Sequence, residues 1–110
     1  MVKHIVFWKL EPNAEGASAA ENAARIKRDL EALVGRIPGL LEAEVGVDFN
    51  RSGAAWDLAY VSVFTDRASL DAYQRHPAHE PVAEFIAKVR TDRAVVDYEP
   101  WARGEGPSLP

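Results

Sequence analysis

A chain of 110 residues, 47% of them hydrophobic and 27% charged, suffices for one domain around a single core and is too short for two. Its 13 basic and 17 acidic residues leave a formal charge of -4 spread along the chain, so there is no electrostatic case for nucleic acid or an anionic membrane as a partner. The absence of cysteine excludes disulfides, thiolate metal sites and thiol nucleophiles, and no apolar run approaches the roughly 18 residues of a membrane span. With no secretory pattern at the N-terminus, a cytoplasmic location is the expectation.

Val2 to Leu10 is rich in β-branched and aromatic residues, with His4, Val6 and Trp8 on one side and Ile5 and Phe7 on the other, which predicts a strand covered on both faces. Pro12, Asn13 and Gly16 mark a loop. Ser18 then stands three residues before Glu21, the spacing of a capping box, and opens a helix whose apolar positions Ala23, Ile26, Leu30, Leu33, Val34 and Ile37 recur at threes and fours. Gly35, Pro38 and Gly39 end it. Leu41 to Phe49 alternates as a half-exposed strand, Leu41, Ala43, Val45, Val47 and Phe49 on the apolar side. After a turn at 50–53, Trp56 to Phe64 reads as its hairpin partner.

Thr65 or Asp66 caps a short helix through Arg75, and a second helix carries Val82, Phe85, Ile86 and Val89. Pro77 separates the two, because a proline inside a helix costs about 3 kcal/mol. Arg93 to Glu99 is the last strand, and residues 101–110 are expected to form a flexible tail. The order is therefore βαββαβ with a split second helical segment: an α+β, ferredoxin-like fold with a four-stranded antiparallel sheet and helices on one face. The other sheet face is apolar too, at Ile5, Phe7, Ala59, Val61 and Val63, and predicts a homodimer packed sheet against sheet.

The segment Asp71 to Val82 holds two of the three histidines, a tyrosine and two prolines, and is where chemistry would reside. If the first strand lies beside it, His4 joins His79 and Tyr73. Neutral His79 is then a candidate general base for a proton between two carbonyls, and Tyr73 a candidate donor to the enolate oxygen. His79 precedes a helix, whose dipole would help keep it neutral. His76, next to Pro77, belongs to the turn. No metal site and no cofactor are expected, since the three-residue spacing of His76 and His79 is broken by proline and no patterned carboxylate completes a ligand set. Structural roles for all three histidines and for Tyr73 stay open at this point.

The opening Val-Lys-His-Ile-Val-Phe-Trp-Lys-Leu, the Ile37-Pro38-Gly39-Leu40 break, Tyr73 to His79 with its His-Pro-Ala-His, and Arg93 to Glu99 together resemble the stress-responsive dimeric α/β-barrel (Dabb) domain over residues 1–100. That resemblance implies a ferredoxin-like protomer whose sheet pairs with a second copy to form a barrel. In a ring-closing polyketide cyclase of the family, a histidine and a tyrosine act as a pair and match His79 and Tyr73, while His4 matches a first-strand pocket histidine. Leu30 and Leu58 stand where that enzyme has a tyrosine and a histidine. The pocket here is therefore expected to be more apolar, lined by Val6, Trp8, Leu30, Leu58 and Phe85. Two classes follow: a dimeric barrel binding a small apolar or carbonyl-bearing ligand without turnover, or a cofactor-independent enzyme of cyclase, lyase or monooxygenase type.

Overall fold

The computed structural model describes residues 1–106. Strands β1 (Val2–Leu10), β4 (Leu40–Val47), β5 (Leu58–Phe64) and β6 (Arg90–Tyr98) form one antiparallel sheet in the order β4-β5-β1-β6, with helices α1 (Ala19–Glu31), α2 (Arg67–Gln74) and α3 (Glu80–Val89) on one face. This is the ferredoxin-like α+β arrangement read from the sequence. A two-residue ribbon, β2 (Asn13–Ala14) with β3 (Ala17–Ser18), occupies what the sequence marks as a loop. Of the predicted tail at 101–110, residues 107–110 lie outside the described residues.

Local chemistry accounts for most boundaries. The Ser18 side chain accepts from the Glu21 backbone N–H at 3.2 Å, and the Glu21 carboxylate accepts from the Ser18 N–H at 3.1 Å, completing the capping box. Asp66 caps α2 by accepting from the Ser69 N–H at 2.8 Å. Between α2 and α3 the chain turns through Pro77, and the His76 ring nitrogen Nδ1 accepts from the Ala78 N–H at 3.0 Å, so His76 serves the turn.

Four expectations are corrected. Helix α1 ends at Glu31 instead of running to Ile37: Leu33 and Arg36 donate to carbonyls three residues back, so the chain tightens into turns that still bury Leu33 and Ile37 while leaving Val34 exposed. In β4 the register shifts between Leu40 and Glu42, so that Leu40, not Leu41, faces the core opposite Phe64. Val47, the last residue of β4, and Phe49 beyond the strand are exposed, because α1 crosses β4 at Val45, where Lys27 and Glu31 bond the strand backbone, and leaves the far end uncovered. The last strand also starts earlier than expected, at Arg90.

The core lies between the helices and the inner sheet face. Val6, Leu58, Tyr60, Phe64, Ile26, Leu30, Tyr73 and Val89 are all essentially inaccessible. The register of β1 against β6 aligns His4 with Asp97, Val6 with Val95 and Trp8 with Arg93 on that same inner face. Edge strand β6 is covered less than its neighbours, which opens the core to solvent along its length. No described helix is long and apolar enough to cross a membrane.

Candidate functional site

A cavity of about 310 Å³ opens between the inner face of β1, β5 and β6 and the two short helices. The sheet contributes His4, Val6, Trp8, Tyr60 and Arg93, and the helical side contributes Leu30, Tyr73, His79 and Ile86, with Arg90 at the α3–β6 junction. The three residues singled out from the sequence, His4, Tyr73 and His79, are thus brought onto one cavity. Val6, Trp8 and Leu30 also line it. Leu58 and Phe85 do not: Leu58 sits one pair further along β5, opposite Trp8, where it is fully buried, and Phe85 lies on the far side of α3 beneath the Arg25 guanidinium, 3.7 Å from its ring centroid.

His4 is 4% exposed, and its Nδ1 pairs with the Asp97 carboxylate directly across the ladder. A carboxylate partner accepts the Nδ1–H and so fixes the orientation of the ring. The neighbouring Ser62 hydroxyl donates to the His4 carbonyl at 3.1 Å, tying the strand backbone in place.

Tyr60 and Tyr73 share a hydrogen bond of 2.8 Å between their hydroxyls. Burial pushes both phenols up, for Tyr73 with the neighbouring Tyr60 adding to it, so both remain protonated donors throughout the neutral range. In such a pair one hydroxyl donates to the other. The second hydroxyl's proton is then available to a ligand oxygen, strengthened by the bond it accepts.

The His79 ring lies against Tyr73, with centroids 4.3 Å apart, at the N-terminal boundary of α3, and makes no capping bond to the helix. Burial holds its pKa below the ordinary imidazole value, against an opposing hydrogen bond to the Gln74 backbone, and positive charge on the neighbouring His4, Arg93 or His76 acts in the same direction as burial. Desolvation is the largest of these causes. Two polar atoms on this cavity, His79 Nδ1 and Trp8 Nε1, are buried without a hydrogen-bond partner. Buried donors and acceptors are almost always paired, so two orphans on one cavity wall are sites a ligand can satisfy.

The sequence did not single out Tyr60, Asp97, Arg90 or Arg93. Tyr60 reads as one more alternating core position, and Asp97 becomes meaningful only once β6 is placed next to β1 in register with His4. Among the described residues no three His, Asp or Glu side chains converge as a metal site would require.

A four-stranded antiparallel sheet in the order β4-β5-β1-β6 with helices on one face is the fold of the small ferredoxin-like domains. The stress responsive A/B barrel domain model, Dabb, matches residues 2–100, and the chain belongs to that family. Among solved structures, a dimeric protein of unknown function with a ferredoxin-like fold from Bacteroides fragilis is 33% identical with a TM-score of 0.75, over 89% of this chain and 94% of that one. The hydroxynitrile lyase of Passiflora edulis is 21% identical with a TM-score of 0.76, covering 96% of each chain. An antibiotic biosynthesis monooxygenase is 21% identical with a TM-score of 0.72, over 93% of this chain and all of the other. These last two share the fold. No curated protein matches the chain.

Proposed function

We propose that this Dabb protein binds a small, largely apolar ligand bearing a carbonyl or hydroxyl oxygen in the cavity between sheet and helices. The observation that carries the reading is that one cavity is lined by a protonated tyrosine pair and by His79 and Trp8, whose Nδ1 and Nε1 have no hydrogen-bond partner within the fold. The wall from Val6 to Ile86 supplies apolar contact, and the polar atoms orient one oxygen-bearing group.

A second reading, cofactor-independent catalysis, is favoured by the juxtaposition of a neutral imidazole and a polarised phenol. His79 takes the proton next to a carbonyl, the developing oxyanion accepts from the hydroxyl at the end of the Tyr60–Tyr73 pair, and His4, oriented by Asp97, holds the substrate or returns the proton. The lyase and monooxygenase among its structural neighbours show that this fold hosts enzymes of both kinds, and fold alone does not choose between them.

The functional unit is a homodimer. The outer sheet face presents Ile5, Phe7, Val61, Val63 and Val96 without any helix over it, and solved relatives from Bacteroides fragilis, Thermobifida fusca and Jannaschia are dimeric. Two copies meeting through this face bury it isologously and close a barrel.

The test is a thermal-shift screen of wild type and His79→Ala with apolar diketones and aromatic ketones. Ligand at about 100 times its Kd stabilises the native state by roughly 2.7 kcal/mol. A shift present in wild type and lost in His79→Ala, with the variant still folded, supports the reading. A shift of equal size in both proteins places the ligand elsewhere.

A further inference from the structure

We propose that the cavity carries an anion subsite at its β6 end, where Arg90 and Arg93 hold the carboxylate of an apolar, carbonyl-bearing acid. This rests on the ligand-binding reading above and specifies its substrate class as a keto acid.

Asp97 lies beside His4 and Arg93 beside Trp8, on the same face of the edge strand and four residues apart, which at strand geometry is about 13 Å. The cavity therefore has His4, engaged with Asp97 outside its wall, at one end and Arg93 at the other, with Val6, Trp8 and Ile86 apolar between them. The basic end has no such partner. Among the described residues Arg36, Arg90, Arg93 and Arg103 form no ion pair with a carboxylate, and of these four Arg90 and Arg93 are the two that line this cavity.

Arg90 is half-buried at this mouth, so its charge is partly stripped of water with no counter-ion in return. A planar guanidinium pairs with a carboxylate through two parallel hydrogen bonds, which restores what burial removes. A phosphate dianion fits less well. Arg90 is the C-cap of α3, so the carbonyl end of that helix lies at the same place and disfavours added negative charge. A single carboxylate, matched by two guanidinium groups, tolerates it. Neutralising Arg93 in this way also removes one of the positive neighbours that depress His79, so that binding the acid would make the base stronger where it is needed.

The experiment uses 3-benzoylpropionate, a stable keto acid, and its neutral amide as probes, followed by ¹H–¹⁵N NMR titration of wild type and of the Arg90→Gln/Arg93→Gln double variant. The acid is expected to bind wild type at least about ten-fold more tightly than the amide, the range of one charge-assisted pair, with shifts at the cavity residues. In the double variant that preference disappears while the amide still binds, which also shows that the fold and cavity persist. Equal binding of acid and amide to wild type, or a preference unchanged in the double variant, would overturn the anion subsite and leave the ligand-binding reading intact. Displacement of the keto acid by inorganic phosphate at equal concentration would overturn the assignment to a carboxylate. No cavity shifts with either probe would overturn both.

Discussion

At His79 the decisive physics is desolvation. An imidazole whose pKa is depressed on folding binds fewer protons in the native state than in the unfolded one below its ordinary value, so its contribution to stability is complete above that value and falls as pH drops toward the folded pKa. Replacing His79 with Gln should therefore flatten the acid side of a stability–pH curve between the ordinary imidazole pKa and the lower folded one, a comparison denaturant melts can make directly. The tyrosine pair makes a separate prediction. Tyr73→Phe or Tyr60→Phe alone leaves a buried hydroxyl without its partner and should cost about 1–3 kcal/mol, whereas the double phenylalanine variant should cost less than the two single losses added together. Strict additivity in denaturant unfolding would mean that the two hydroxyls do not interact. His79 and Tyr73 were legible in the sequence because the prolines around them break helical periodicity and isolate them. Tyr60 and Asp97 were not, since each looks ordinary until a neighbouring strand gives it a partner.

Among the elements, the sequence is most informative where a cap or breaker has a local cause. Ser18 with Glu21, Asp66 before α2 and Pro77 between α2 and α3 each act within a few residues, and each boundary falls where these side chains require it. The end of α1 and the Leu40–Leu41 bulge were illegible because tertiary packing decides them: Leu33 and Ile37 reach the core from turns, and Leu40 is chosen over Leu41 by its place opposite Phe64. Gly39 anchors this region. It has φ 84°, and a Cβ there would overlap the Ser69 side chain on α2. Gly39→Ala combines a left-handed backbone with a steric clash and should destabilise the protein by about 1 kcal/mol or more, read as a lower denaturant midpoint at unchanged slope. Ser18→Ala, which removes only the cap of α1, should cost roughly 1 kcal/mol.

For the whole molecule, the fold was legible because the order of apolar patterns admits few topologies, while the cavity was legible only in part. Leu58 and Phe85 were expected in its wall since they are large and apolar on the right elements, but one pair along β5 and one face around α3 decide between cavity and core. The outer sheet face has the opposite character, apolar and without any helix over it. A single charge at its centre, Val61→Asp, should convert the proposed dimer to a 12.1 kDa monomer in light scattering while leaving the inner cavity intact. A wild type that already scatters as a monomer at micromolar concentration would remove the dimer from this account. The central claim is that a neutral His79 and the tyrosine pair beside it form a site for a carbonyl-bearing ligand. It is tested most directly by ¹⁵N NMR of the histidine side chains during titration with benzoylacetone. The account predicts that His79 titrates below the ordinary imidazole range in the free protein and that its ring nitrogens shift on binding while those of surface-turn His76 stay still. An ordinary His79 titration with no response to the diketone would contradict it.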